Sequence, residues 1–262
     1  MSRAGGSARL WVFDFDGTLS PLVPDRNAAQ LHPASRALLK ALAGDPGSRV
    51  AVLSSRSIED LAGRIPVRNL FLGGGSGLEW RFPAGHRIGP GEAAEARRDK
   101  ARGAVLPLLS KISSVPGVEI EDKRWSLAVH FRRVPPEGLG AVHSLVLELE
   151  RLSVIRVFSG PAAAEVQLLP SADKSFGVRK LCGFLRFSPS GGRIFYAGDD
   201  ENDAAAMRWV IAMKGKAVAV GNGIRMTGVR HVDGPASLAH AVRAMACLGR
   251  RAVPASEGRS EG

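Results

Sequence analysis

The sequence predicts an α/β protein in which a Rossmann-like parallel-sheet core domain carries an inserted α+β domain, and three observations lead there. Short apolar runs end in turns rich in Asp, Ser and Gly, as strands buried on both faces do. Helical stretches alternate with those runs over the first 65 residues and again after Pro170, the pattern of a doubly wound sheet. Between the two halves, long helices and alternating strands follow a different order.

Leu10-Trp11-Val12-Phe13 is the first strand, closed by an acidic turn that contains Gly17. A loop through Pro21 and Pro24 leads to His32-Pro33, which opens a helix with Leu38, Leu39 and Leu42 on its apolar face. Gly44 to Ser48 stop it before the strand Arg49 to Leu53, and Ser57-Ile58-Glu59-Asp60 resembles a capping box at the start of a second helix. From Gly85 onward the expectation is a helix from Glu92 to Ser114, alternating segments over Val118 to Arg133 and a helix from Pro136 to Leu152. Strands at Val154 to Phe158 and Glu165 to Leu168 complete this part. The core pattern resumes with a helix from Lys174, the strand Ile194 to Ala197, a helix from Asn202 and the strand Ala217 to Val220. The expected divisions are therefore 1–84 and 171–250 for the core domain, 85–170 for the inserted domain and 251–262 for a disordered tail.

Composition narrows the function classes. At 262 residues, 45% apolar and 23% charged, the chain reads as globular rather than disordered or fibrous. It contains no apolar run of about 18 residues and begins with small polar residues, so neither a membrane span nor a signal peptide is expected. Cys182 and Cys247 form no C-x-x-C pair, which fits a reducing, cytoplasmic setting. The net charge of +11 is mostly scattered arginine. Its densest stretch, Arg97, Arg98, Lys100 and Arg102, shares a helix with Glu92, Glu95 and Asp99 and has no interleaved aromatic residues. A solvated helix face is expected there, with no nucleic-acid partner and a monomeric chain.

Four pieces carry chemistry. In Phe13-Asp14-Phe15-Asp16-Gly17-Thr18-Leu19, alternation puts both carboxylates on one side of an extended chain and both rings on the other. Two acids held that close repel unless a cation lies between them or one keeps a proton, and an octahedral Mg²⁺ shared with a substrate phosphate meets that need. A turn capped by two carboxylates is the simpler alternative. Ser54-Ser55-Arg56 ends the second strand with a hydroxyl, helix N-terminal amides and a guanidinium, although an N-cap explains Ser54 or Ser57 equally well. Lys174 opens a helix, where it is either a point charge for a phosphoryl oxygen or simply solvated. Gly198-Asp199-Asp200-Glu201-Asn202-Asp203 crowds four carboxylates after an apolar strand, which calls for a metal or a cationic partner.

In this order the four pieces resemble the haloacid dehalogenase superfamily of aspartyl-phosphate phosphatases, and the resemblance implies a core of the haloacid dehalogenase type. It further implies Asp14 as the nucleophile, Asp16 as the acid that protonates the leaving oxygen and then the base for water, and Ser54 and Lys174 on the phosphoryl oxygens. Mg²⁺ would bind the Asp14 carboxylate, the Asp16 carbonyl and Asp199, with Asp200 or Asp203 behind them. The inserted domain lies where this superfamily places its larger cap, which reads the leaving group.

The run Glu121-Asp122-Lys123-Arg124-Trp125-Ser126-Leu127-Ala128-Val129-His130-Phe131-Arg132 looks like the E-D-K-x-x-S-x-x-x-H-[YF]-R run of trehalose-6-phosphate phosphatases. Gly160 followed by Glu165-Val166 is similar to that family's acidic residue ahead of the lysine, and the likeness extends from Trp11 to Leu248. It implies Mg²⁺-dependent hydrolysis of trehalose 6-phosphate in trehalose biosynthesis, with Arg56, Glu79, Glu121, Lys123, His130, Arg132, Glu165 and Asn202 on the sugar phosphate. Donors and acceptors of this kind suit an array of hydroxyls and reject wrong sugars strongly. The chain departs from the pattern at Ser76, where G-x-H-G-x-E has histidine, at Ser55 and Ser175, where glycine is usual, and at Asn202, where G-D-D-x-T-D has threonine. Asn202 matches the G-D-x-x-N-D pattern of other large-cap phosphatases, so a sucrose 6-phosphate or mannosyl-3-phosphoglycerate type of ester is the alternative substrate. The alternative from another class is a polyanion-binding module with a vestigial site. Catalysis is expected to need cap closure about hinges at Arg81 to Gly85 and Pro170 to Asp173.

Overall fold

A strand with large apolar residues on both faces belongs inside a sheet covered on both sides. Trp11 and Phe13 pack into one buried cluster and Leu10 and Val12 into another. In the computed structural model, which describes residues 8–23, 25–160 and 162–247, these residues form β1 (Arg9–Phe13), fourth of eight strands. The chain continues through α1 (Pro33–Ala43), β2 (Ser48–Leu53), α2 (Ile58–Arg64), β3 (Phe71–Gly74), β4 (Glu79–Arg81) and β5 (Arg87–Ile88). Then come α3 (Glu92–Ser113), β6 (Glu119–Asp122), β7 (Ser126–His130), α4 (Pro136–Glu150), β8 (Arg156–Ser159) and β9 (Ala163–Gln167). The last part holds α5 (Lys174–Phe184), β10 (Ile194–Gly198), α6 (Glu201–Ala212), β11 (Lys216–Val220), β12 (Arg230–Val232) and α7 (Pro235–Met245).

The large sheet runs β12-β11-β10-β1-β2-β3-β4-β5, parallel from β12 to β3 and antiparallel at β4 and β5. Leu38, Leu39 and Leu42 of α1, Leu61 of α2 and Leu238 and Val242 of α7 cover the face that carries Trp11 and Phe13. Val178 and Leu181 of α5 and Met207 and Val210 of α6 cover the other. A second sheet, β6-β7-β9-β8, is wholly antiparallel and has its own core, in which Leu127, Val129 and Val166 meet Val105 and Ile112 of α3 and Val142 and Val146 of α4. Strand alternation leaves its other face polar. A small cluster of Leu78, Ala94, Trp125, Leu169 and Ala172 lies between the two parts.

The expected boundary between 84 and 85 cuts through the β4–β5 hairpin. Trp80 pairs with Ile88, which carries the large sheet past that boundary to Ile88. The Ser57 hydroxyl caps α2 by accepting from Asp60 N, but the Asp60 carboxylate turns to Arg56 and Arg64 instead of completing a capping box. The expected disordered tail, 251–262, lies outside the described residues.

Candidate active site

Three neighbouring parallel strands, β10, β1 and β2, bring their carboxyl ends to one edge and deliver Asp199, Asp14 and Ser54 there. The chain leaves β1 toward β2 on one side and returns by β10 on the other, the kind of switch point at which open sheets form a crevice. Gly17 has φ +75°, and a Cβ on it would lie 2.0 Å from Asp199 Oδ2, so only glycine lets the turn after β1 pass beneath that carboxylate.

Asp173 caps α5 by accepting from Phe176 N, which fixes Lys174 in the first turn. Lys174 is 4% exposed, and its Nζ donates to Asp14 Oδ1 at 2.7 Å and to Asp203 Oδ1 at 2.6 Å. Asp203 also accepts from Tyr196 OH at 2.6 Å and from the amides of Asp199 and Asp200 at 3.2 and 3.3 Å. Four donors therefore occupy the Asp203 carboxylate, while Asp14 keeps Oδ2 free of any protein donor among the described residues. Asp200 caps α6 and holds Asn202 through its amide and side chain. Asn202 Oδ1 is buried without a partner among the described residues.

Burial, with the neighbouring Asp14, Asp203 and Asp200 adding to it, pushes Asp199 up to about 10. Burial also raises Asp14 well above the usual carboxylate range against the pull of Lys174, and it takes Asp203 to about 6. Lys174 stays well above its ordinary value despite burial, because Asp14 and Asp203 flank it. One oxygen from each of Asp14, Asp199 and Asp203 lies within 4.8 Å of the others. This all-oxygen, charge-crowded set fits a hard divalent cation. Asp14 and Asp199 would each supply one oxygen to it, with Asp203 behind them.

Asp16 takes a different partner. Arg56, 1% exposed, donates from Nε to Asp16 Oδ2 at 2.7 Å and from Nη2 to Asp16 Oδ1 at 2.6 Å. Its Nη1 donates to Asp60 Oδ2 at 2.5 Å, and Nη2 also reaches the Arg26 carbonyl at 2.7 Å. Phe13 and Phe15 share one buried cluster, while the two carboxylates meet different basic side chains. Each has its own basic residue, Lys174 for Asp14 and Arg56 for Asp16. Arg56, expected at the substrate, has its guanidinium engaged by these protein acceptors. Ser54 Oγ accepts from Arg56 N at 3.2 Å and keeps its own proton to donate, while Ser57 is the residue that caps α2.

In the second sheet Glu121 pairs with Ala128 and Ala128 with Glu165, so both glutamates lie in one row on the polar face, with Ser126 and His130 on the same side. Glu165 accepts from the Lys123 ammonium and, at 2.5 Å, from Ser126 Oγ. Glu121 Oε2 lies 3.3 Å from His130 Nε2 and 3.2 Å from Arg26 Nη1. Burial opposes the Glu121 charge, but His130, Arg26 and Lys123 hold its carboxyl at about 2. Arg132 is exposed and lines a cavity of about 330 Å³ with Asp25, Glu119 and His130. Glu79 stands apart from this group. Its Oε1 accepts from Trp125 Nε1 at 2.8 Å and pairs with Arg124 at 2.8 Å, tying the large sheet to the inserted part. Ser76, at φ 58°, sits in the turn that holds this contact.

Tyr196, Arg26, Asp60 and Trp125 take part in these networks without having been legible as site residues. No helix of the described residues is long and apolar enough to cross a membrane.

A family model described as trehalose-phosphatase matches residues 12–240. The trehalose-phosphate phosphatase of Mycobacterium avium is 35% identical over 196 residues, covering 74% of this chain and 49% of that protein. The chain thus spans about half the length of the curated relatives it matches. The C-terminal domain of the Candida albicans trehalose-6-phosphate phosphatase superposes with a TM-score of 0.73 at 21% identity, covering 92% of this chain and 93% of that one. A haloalkanoate-superfamily phosphatase from Bacteroides thetaiotaomicron gives 0.61 at 18% identity, covering 95% and 98%. At these identities the likeness establishes the fold, an α/β core of the haloacid dehalogenase type.

Proposed function

The chain belongs to the trehalose-phosphatase family, and on that premise we propose that it hydrolyses trehalose 6-phosphate to trehalose and inorganic phosphate through an aspartyl-phosphate on Asp14. One observation carries the reading. Asp14 is buried at the end of β1 beside Asp199, with Oδ1 held by Lys174 and Oδ2 free of any protein donor among the described residues.

Asp14 Oδ2 attacks phosphorus as the bond to the sugar oxygen breaks, and Asp16 gives that oxygen a proton. Asp16 then takes a proton from the water that cleaves the aspartyl-phosphate. Each Asp16 oxygen accepts one N–H from Arg56, a fork that orients the carboxyl group and leaves a second lone pair on each oxygen. Lys174 and the Ser54 hydroxyl neutralise and orient phosphoryl oxygens, while Asp203 and Tyr196 hold Lys174 in place. Mg²⁺ bound by Asp14 and Asp199, and in the family's pattern by the Asp16 carbonyl, would supply further charge neutralisation to the phosphoryl group.

In this reading the α3-to-β9 part is a cap over the core, and Glu121, Lys123, His130, Arg132 and Glu165 take the sugar hydroxyls. The enzyme acts as a cytoplasmic monomer in trehalose biosynthesis. Ser76 and Asn202, which depart from the family pattern, favour as a second reading the ester of another sugar. Phosphate release from trehalose 6-phosphate, sucrose 6-phosphate, glucose 6-phosphate and mannosyl-3-phosphoglycerate, with Mg²⁺ or EDTA, tests both. Mg²⁺-dependent turnover selective for trehalose 6-phosphate and lost in Asp14→Asn is expected. Preference for another ester would retain the chemistry and overturn the substrate.

A further inference from the structure

Arg26 joins the catalytic loop of the core to the polar face of the second sheet. It stands on a short turn fixed by Asp25, whose carboxylate accepts from Asn27 N at 2.9 Å. Its carbonyl accepts from Arg56 Nη2 at 2.7 Å, from the same guanidinium that grips Asp16. Its side chain crosses to the other sheet, where Nη1 donates to Glu121 Oε2 at 3.2 Å, the oxygen that also lies near His130. Arg26 Nε is buried and has no hydrogen-bond partner among the described residues. Asp25, its neighbour in the chain, and His130 both line the 330 Å³ cavity.

We propose that Arg26 is a specificity-determining residue of this crevice, donating to a hydroxyl of the leaving sugar while Glu121 accepts from one. The inference rests on the reading of the chain as a sugar-phosphate phosphatase. A hydroxyl both donates and accepts, so it fits between an arginine N–H and an ionised carboxylate. A buried N–H without an acceptor is costly, and a bound sugar relieves that cost only when it places an oxygen there. Because the main chain of Arg26 is tied to Asp16 through Arg56, the same residue sets the sugar in register with the group that protonates it.

The test is calorimetric titration in Mg²⁺ of the full chain carrying Asp14→Asn, with and without Arg26→Gln. The ligands are trehalose 6-phosphate, sucrose 6-phosphate, glucose 6-phosphate and inorganic phosphate. Loss of a hydrogen bond from a charged donor should weaken the tightest sugar ester about 10- to 100-fold. Inorganic phosphate, which has no leaving group, should change by less than about twofold on the same argument. Arg26→Lys should recover part of the loss, and adding Glu121→Gln to Arg26→Gln should cost less than the product of the two single effects. Unchanged ester affinity, or equal weakening of ester and phosphate, would overturn the inference. If an ester other than trehalose 6-phosphate binds tightest, the substrate named above falls and Arg26 is judged on that ester. If no ester binds more tightly than phosphate, both readings fall.

Discussion

Gly17→Ala places a methyl group where the structure has room for none. The new Cβ would lie 2.0 Å from Asp199 Oδ2 and 2.4 Å from Asp199 Cγ. Restoring an ordinary contact of 3.4 Å moves the carboxylate by about 1.4 Å. A displacement of that order at a reacting centre typically costs about 100-fold in rate. The φ of +75° adds about 1–2 kcal/mol of backbone strain for any L-residue, independently of the clash. The two effects separate in a double-mutant cycle, because Asp199→Ala removes the three atoms nearest the new Cβ. In EDTA, Gly17→Ala should destabilise the Asp199→Ala protein by only the strain of about 1–2 kcal/mol, and the otherwise wild-type chain by more. Urea denaturation gives both values, while calorimetric Mg²⁺ titration and phosphate release read the displaced ligand. Gly17→Ala with wild-type turnover and Mg²⁺ affinity would refute the argument that this glycine exists to seat Asp199.

Lys174→Met leaves two buried carboxylates without their cation and should cost about 3–5 kcal/mol of stability in urea denaturation, together with turnover; adding Asp203→Asn should recover part of the stability but none of the activity. Asp199 and Asp203 have folded-state values raised to about 10 and about 6, so their contribution to metal-free stability is fully present below the unfolded carboxylate range. It should fall from about pH 4 upward, the Asp203 part being lost once pH has risen through about 6 and the Asp199 part continuing toward about 10, and thermal melts in EDTA over that range should show stability declining on their account. Bound Mg²⁺ should reverse that decline and release a proton at neutral pH, read by calorimetry in buffers of different ionisation enthalpy. Trp125→Phe keeps an aromatic ring but loses the indole bond to Glu79 and part of the buried volume, so about 1 kcal/mol for the bond and a further cavity cost should be lost in the same urea assay.

The parallel core was legible because its strands obey a local rule. Leu10 to Phe13, Arg49 to Leu53 and Ile194 to Ala197 are apolar runs that end in polar turns, and each is a strand within a residue or so of its expected limits. β3 escaped notice because Phe-Leu-Gly-Gly carries two glycines, and Gly73 is required there by the Trp80 ring and the Leu53 side chain, which neighbouring strands pack against it. β5 has two residues and is defined by pairing alone. By contrast α7 did carry a signal, a proline at its start and Leu238 and Val242 on one face. At the site, acidic residues announce themselves by crowding. Tyr196 does not, because its hydroxyl sits in a strand otherwise apolar and matters only through Asp203, seven residues on and across a turn.

Asp14 and Asp16 show most plainly what local pattern leaves undetermined. Alternation puts them on one side of an extended chain, and nothing nearby in sequence distinguishes them. The distinction comes from partners brought in by the fold, Lys174 from 160 residues away and Arg56 from 40. Lys174 binds one oxygen of Asp14 and leaves the other bare, which is the condition a nucleophile needs. Arg56 binds both oxygens of Asp16, and its fork is anchored further by Asp60 and by the Arg26 carbonyl. On the proposed mechanism the attacking oxygen is therefore left bare, and the proton-transfer group is oriented by its fork. Arg56→Lys, which cannot make the fork, should lower turnover on esters with a poor leaving group, such as a sugar, more than on p-nitrophenyl phosphate, whose departure needs little protonation. An equal loss on both esters, measured as kcat in Mg²⁺, would show that Arg56 supports the loop as a whole and does not position Asp16 in particular.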